Sequence, residues 1–261
     1  MDGLTRSVDL NRELYMSVTV TFVGSGDAFG AGGRFQTCIL VDTPETRFAI
    51  DFGASSLIAL NQLGIDHNGI DTIVLTHLHG DHCAGIPFML LDAMLAAKRR
   101  TSLTIVGPRE TETRMNEICE ALMPGMGTMT PKFPLTYVEV DVLKPTAVGD
   151  LTVTSYPAAH TAGTNPTAVR VETAGKVISY TGDSAWTKHM PEVADNADLF
   201  ICECYFYEKS VPFHMNYPDV RAHRDDLTAK RTVLTHFSRE MMAAKDELEE
   251  ECAFDGLVID L

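Results

Sequence analysis

Four apolar runs of strand length in this 261-residue chain end on, or just before, residues of the type that bind metal ions. DTIVL (71–75) leads into THLHGDHCAG (76–85), LTVTSYP (151–157) precedes His160, KVISYTGD (176–183) closes on Asp183, and TVLTH (232–236) closes on His236. A strand end fixes the loop that follows while its side chains stay free to point into a crevice, which is where α/β proteins place chemistry. The first of these loops is the densest. Three of the nine histidines and one aspartate fall within the six positions His77 to His82. The residues after it, GIPFMLLDAMLAAKRR, read as a helix that tolerates Pro87 only in its first turn.

Strand-like runs also occur at 18–24, 37–42, 47–53 and 103–108, with helical periodicity at SSLIALNQLG and RETETRMNEICEALM. A second series follows at 135–143, 151–157, 167–173, 176–183, 198–205 and 232–236, and the chain ends on GLVIDL. Two strand-rich halves, each closed by helices, predict two sheets packed face to face with helices outside. No composition break marks a linker, so residues 16–261 are expected to form a single domain after a polar extension at 1–15. No apolar run reaches the ~18 residues of a membrane span, and none resembles a signal peptide. The six cysteines form no CxxC pair, which favours reduced thiols in a cytoplasmic protein. In CECY, strand alternation predicts Cys202 and Cys204 on one face and Glu203 on the other.

The formal charge of −15 repels a polyphosphate unless a basic patch offsets it. The one candidate patch, Lys98-Arg99-Arg100, reads as a solvated helix end whose cations complement the dipole. Large nucleic acids are therefore disfavoured substrates, and a small molecule is the expected partner.

Imidazoles mixed with one hard carboxylate suit zinc, and manganese or iron less specifically. One centre does not take four side chains from so short a loop. His77 and His79 are expected to face one ion, and Asp81 and His82 a second a few ångströms away. Each ion needs further ligands from elsewhere in the chain.

HxHxDH after a strand, followed in order by His160 in PAAHTAG, Asp183 in SYTGDSAW and His236 in TVLTHFS, resembles the signature of the metallo-β-lactamase superfamily over residues 16–261. The resemblance implies an α/β fold of the αββα four-layer sandwich type, with the site at the shared edge of two sheets. It assigns His77, His79 and His160 to one ion, Asp81, His82 and His236 to the other, and Asp183 to both. Within the superfamily, FVGSGDAFGAGGRFQTCILVD, AIDFGAS, ECYF with Glu203, FHMN with His214 and the final LTHFS resemble the ribonuclease Z and phosphodiesterase branch. That branch commonly dimerises. Glu203 reads as a carboxylate that orients His214 beside the metals as a proton donor.

Two departures stand out. About twenty residues separate His160 from Asp183, room for two strands and turns but not for a tRNA-gripping arm. HFSREMM also lacks the usual proline, arginine and tyrosine run. Both argue against pre-tRNA cleavage and toward a small phosphodiester or cyclic nucleotide, hydrolysed by a metal-bridging hydroxide at neutral pH. Asp81 is expected to serve as ligand and proton acceptor, His214 as acid and Glu203 as its orienter. The competing reading is a lactone or thioester hydrolase on the same metals. A scaffold without turnover is disfavoured, because all seven ligands are present.

Weaker signals are read conservatively. GSGDAFGAGG (24–33) lacks GK[ST] and reads as a hairpin turn rather than a nucleotide loop. Tyr205, Tyr207 and Trp186 lie near site loops, but aromatics at strand ends are usually core. His67, His189 and His223 read as surface residues, Cys83 matches no ligand position, and Asp51 is either a turn former or a partner to a ligand.

Overall fold

In the computed structural model, which describes residues 17–261, two seven-stranded sheets pack face to face with helices on both outer sides. The expected extension at 1–15 lies outside the described residues. The first sheet uses β1 (Thr19–Gly24), β2 (Cys38–Asp42), β3 (Arg47–Ile50), β4 (Thr72–Val74), β5 (Leu103–Gly107) and β6 (Leu135–Glu139). The second uses β7 (Thr146–Val148), β8 (Leu151–Pro157), β9 (Thr167–Thr173), β10 (Lys176–Tyr180), β11 (Leu199–Glu203), β12 (Thr232–Thr235) and β13 (Glu251–Cys252). A last strand, β14 (Val258–Asp260), returns to the first sheet and pairs antiparallel with β1. This is the four-layer metallo-β-lactamase sandwich.

Strand alternation builds the layers. Phe48 and Ile50 point between the sheets, together with Val20, Phe22, Val169 and Ile201, while Ala49 between them faces the helices. The outer side of the first sheet buries α1 (Ser56–Leu63), α3 (Ile86–Leu95) and α4 (Thr111–Leu122) through Leu60, Met89, Leu90 and Met115. The outer side of the second buries α5 (Met190–Ala194), α6 (Tyr217–Ala222) and α7 (Arg239–Ala244) through Val193, Val220 and Met241. Pro87 occupies the first turn of α3, as expected.

Three expectations are corrected. The division into sequence halves fails at both ends of the second series: the run at 135–143 supplies β6 to the first sheet, and the terminal run pairs with β1. Without β14, the backbone of β1 would be an open edge. Arg99 is buried rather than solvated. Helix α3 stops at Leu95, and the Arg99 guanidinium donates to the carbonyls of Ile70, Thr101 and Ser102 at 2.7, 3.0 and 2.6 Å, tying the turn before β5 to the chain just before β4. His67 is also buried, with Nε2 2.6 Å from the Asp92 carboxylate.

Strands β3 to β6 run parallel, as do β10 to β13, and the ends of β3, β4, β8, β10, β11 and β12 open on one edge of the sandwich. No helix among the described residues is long and apolar enough to cross a membrane.

Candidate metal centre

The loop after β4 carries the first four candidates, and its local structure differs from the simple strand-to-helix loop expected. His77 and His79 sit on extended chain, but Asp81 and His82 lie in a helical turn, α2 (Gly80–Cys83), that precedes α3. The turn places Asp81 and His82 in one ligand group while His77 and His79 fall in the other, so one short segment serves two groups. Gly182 turns the chain from β10 into Asp183 with φ 56°. A Cβ there would stand 2.9 Å from the Thr167 carbonyl oxygen and from Thr76 Cβ, so glycine is required on both counts. His236 follows β12 with φ 62°, a conformation kept where surrounding bonds over-determine it: its N–H donates to the Ser25 carbonyl at 3.2 Å.

The side chains converge into two groups that share Asp183. His77, His79, His160 and Asp183 form one, and Asp81, His82, Asp183 and His236 the other; within each group the ligand atoms lie within 4.8 Å of one another. In the first, His79 Nδ1 is 3.2 Å from His77 Nε2 and 3.1 Å from His160 Nε2, while Asp183 Oδ2 is 4.0 and 3.9 Å from those two Nε2 atoms. In the second, His82 Nε2 is 3.4 Å from Asp81 Oδ2 and 3.2 Å from Asp183 Oδ1, and His236 Nε2 is 3.4 Å from each of the same oxygens. Ligands at tetrahedral corners ~2.0–2.1 Å from zinc are separated by ~3.3 Å edges, so both groups have the dimensions of a cation site. Two further observations fit the same group of ions. His82 Nε2 and Asp183 Oδ1 are buried without a hydrogen-bond partner. The second group also calls for positive charge. Burial opposes protonation of His82 and His236, yet the surrounding carboxylates, Asp183 foremost, outweigh it and raise both imidazoles. Burial likewise works to raise Asp81 and Asp183, but the neighbouring imidazoles hold both below the ordinary carboxylate range. Desolvation lowers His77, His79 and His160, leaving them the neutral imidazoles a cation needs.

Partners outside the two groups fix which nitrogen His77, His82 and His160 present. His160 Nδ1 donates to the Phe213 carbonyl at 2.7 Å. His82 Nδ1 donates to Asp51 Oδ2 at 2.7 Å, and Asp51 also accepts from the Thr76 N–H and hydroxyl, each at 2.8 Å. The Thr76 oxygen in turn lies 3.1 Å from His77 Nδ1. Asp51, left undecided between turn former and ligand partner, is thus tied to both groups.

Glu203 and His214 meet beside the metal groups, the imidazole Nδ1 against a carboxylate oxygen. Glu203 is fully buried and also accepts the N–H groups of Ser184 and Met215 at 2.7 and 3.2 Å. Burial drives both partners toward neutrality, raising Glu203 and lowering His214. As strand alternation predicted, Cys202 and Cys204 pack into the outer core on the opposite face. Cys83 is buried in the helix-side core with its thiol pushed up to about 12 by burial.

A cavity of about 140 Å³ opens over these groups, lined by Ala28, Phe29, Tyr205 and His214 as well as His79, Asp81, His160, Asp183 and His236. Tyr205 belongs to the site, stacked on His214 at 4.5 Å. Trp186 and Tyr207 do not: they stack on His223 and Tyr217. His189 pairs at 3.5 Å with Glu192 away from the cavity. The segment at 24–33 does join the antiparallel pair β1 and β2, as a hairpin should, but through a long loop that brings Ala28 and Phe29, both missed, to the cavity. One signal was available. Phe29 sits among glycines and polar residues, with Ala31 the one apolar residue at a spacing of two to four, too little to make a strand or helix face that would bury it.

Comparisons with known proteins agree with this architecture. A family model described as "Anti-Pycsar protein Apyc1" matches residues 18–257. A ribonuclease Z of Lachnoclostridium phytofermentans is 23% identical over 88% of this chain and 91% of its own length. The metallo-β-lactamase fold protein YhfI from Bacillus subtilis superposes with a TM-score of 0.75 at 23% identity, covering 94% of this chain and 99% of that one. The short form of human tRNase Z superposes with a TM-score of 0.72 at 22% identity, covering 92% and 98%.

Proposed function

The chain belongs to the anti-Pycsar protein Apyc1 family, and from that premise we propose that it is a dinuclear metal-dependent phosphodiesterase acting on a small phosphodiester, a cyclic nucleotide foremost. His77, His79 and His160 would hold one ion and Asp81, His82 and His236 the other, with Asp183 within reach of both; zinc would suit the donor set, with manganese or iron as substitutes. Such ions, when bound, supply positive charge for a phosphoryl oxygen and lower the pKa of water at the site.

The chain's own groups account for the protons. Water adds to phosphorus, the opposite P–O ester bond breaks, and the departing alkoxide needs a proton. His214 carries it. Its Nδ1 is held by Glu203, which leaves Nε2 to deliver the proton. The Asp81 carboxylate accepts the proton lost by water. Glu203, buried and bound by two backbone amides, acts by holding His214 in one orientation.

The observation that carries this reading is His214, held by Glu203, in the wall of the cavity of about 140 Å³ over the metal groups. The net charge of −15 favours a small diester over a polynucleotide. The test compares bis(p-nitrophenyl) phosphate, a nucleoside 3′,5′-cyclic phosphate and a simple lactone, using wild type and His214→Ala with metal content measured on each preparation. We expect diester turnover to fall about 10²–10⁴-fold in the variant while its metal content holds. A wild type that opens the lactone but neither diester overturns the reading. Metal lost in proportion to activity removes the proton-donor role of His214.

A further inference from the structure

A second cavity, of about 460 Å³, adjoins the one over the metal groups and shares Phe29 and Tyr205 with it. Asp27, Phe206, Lys209, Ser238, Arg239 and Glu240 complete its walls. Phe29 forms the partition between the two and is 74% exposed, the most open large apolar side chain among the described residues. Single exposed apolar residues need no explanation. This one differs because its backbone is rigidly held. The buried Asp27 carboxylate accepts from the N–H groups of Phe29 and Ala31 at 3.2 and 2.9 Å, and the Gly30 N–H donates to the Asp27 carbonyl at 3.2 Å. Ser25, two residues earlier, accepts from Thr235 Oγ1 and from the His236 N–H. The loop that presents Phe29 is thus bolted to the segment that presents a metal ligand. An exposed aromatic ring at a fixed distance from the reaction centre is preorganised to bind something flat.

Position decides which part of a substrate lands there. His214, the proposed donor to the leaving group, stacks on Tyr205, and Tyr205 lines both cavities. The leaving side therefore faces Phe29 and Phe206. A larger cavity of about 640 Å³, with Arg109 and Asp141 in its wall, shares only His160 with the cavity over the metal groups and has no aromatic lining.

We propose that the Phe29 ring is the stacking face for the nucleobase of a cyclic nucleotide, the base lying in the cavity between Phe29 and Phe206 while the phosphodiester sits at the metals. The proposal rests on the phosphodiesterase reading and names the residue that gives it a preference for a base. Lys209 sits 5.1 Å above the Phe206 ring and pairs with Glu240 at 2.6 Å, so the outer end of the cavity is charged and closes against Phe206.

The test uses two substrates, a nucleoside 3′,5′-cyclic phosphate and the 3′,5′-cyclic phosphate of 1-O-methylribose, which has the same ring and no base. Wild type is expected to prefer the base-bearing ester, and Phe29→Ala to lose about tenfold of that preference through KM rather than kcat, the scale of one base–aromatic stack. Phe29→Trp should restore it and Phe29→Leu should not. Calorimetric titration with adenosine 5′-monophosphate supplies a readout apart from turnover: Kd should weaken about tenfold in Phe29→Ala and return in Phe29→Trp. An unchanged preference and an unchanged Kd overturn the proposal, as does a wild type that fails to bind the nucleotide. If wild type binds the nucleotide through Phe29 but hydrolyses no diester, the phosphodiesterase reading falls and the stacking face stands.

Discussion

Asp51→Asn tests whether the partners behind the ligands control metal binding. Asp51 is fully buried and accepts three hydrogen bonds: the Thr76 N–H on Oδ1, and the Thr76 hydroxyl and His82 Nδ1–H on Oδ2. Asparagine has the same shape but only one acceptor oxygen. The Thr76 amide cannot turn, so that oxygen stays on it and the new NH₂ faces His82 Nδ1. Two donors then meet in a dry site. His82 relieves the clash by moving its proton to Nε2, the atom 3.4 Å from Asp81 and 3.2 Å from Asp183. A proton there occupies the lone pair a cation would use. If the amide flips instead, the NH₂ meets the Thr76 N–H and a buried donor is left unpaired, at about 1–3 kcal/mol. The expected cost is 10–100-fold in affinity at the Asp81–His82–His236 site, roughly 1.4–2.7 kcal/mol, with a smaller effect on the other site. Competition against a chelating dye resolves the two steps, and the nitrogen chemical shifts of His82 report its tautomer. Two binding steps at wild-type affinity, with Nδ1 still protonated, would refute the reasoning.

Two further outcomes concern stability. Gly53→Ala would place a Cβ 2.2 Å from the Asp81 carbonyl oxygen and 2.7 Å from Gln36 Cβ, so the ligand turn must shift; a loss of about 3 kcal/mol is expected in denaturant unfolding, and an unchanged midpoint contradicts the packing argument. Burial works to raise Asp198, but the ammonium of Lys230 at 2.8 Å and the Val177 N–H at 2.9 Å outweigh it and hold its carboxyl below the ordinary value. A depressed folded-state pKa contributes stability that is complete above the unfolded-state value near ~3.9 and is lost as pH falls through the folded one. Asp198→Asn should therefore flatten the acid limb of unfolding free energy against pH, and an identical slope in the variant rules the contribution out.

Much of the site was legible because its residues announce themselves locally. His77, His79, Asp81 and His82 share one short segment, and His160, Asp183 and His236 each stand at or just beyond the end of an apolar run, so the strand pattern marked them as candidates and the resemblance sorted them into two groups. Glu203 was placed on the correct face by the two-residue repeat of a strand, with Cys202 and Cys204 opposite. Two sheets with helices outside were readable from the two series of strand-like runs, and the resemblance implied their αββα order, although neither showed that β6 and β14 join the first sheet. The solvated reading of Arg99 failed because a charge run at the end of a helical pattern gives no sign that helix α3 stops at Leu95 and lets Arg99 turn onto the carbonyls of Ile70, Thr101 and Ser102.

Asp51 shows why the rest was hidden. It stands 25 residues before Thr76, and nothing in its own neighbourhood points to a metal. Its role depends on β3 and β4 being parallel neighbours in a register that pairs Ile50 with Val74. Given that pairing, the residue just past β3 must fall beside the residues just past β4, and a carboxylate at 51 meets Thr76 and His82 by geometry alone. The order and register of strands are fixed by packing across the whole sandwich, as the return of β14 to the first sheet shows. The same dependence governs Phe29: its exposure was readable from its glycine neighbours, but the cavity it partitions exists only once the loop after β1 is tied to the loop after β12. Ligands are chosen by the chemistry of single positions, whereas their supports and the walls around them are chosen by which strand ends become neighbours. Asp51→Asn and Phe29→Ala probe that second level, and both leave the seven proposed ligand side chains in place.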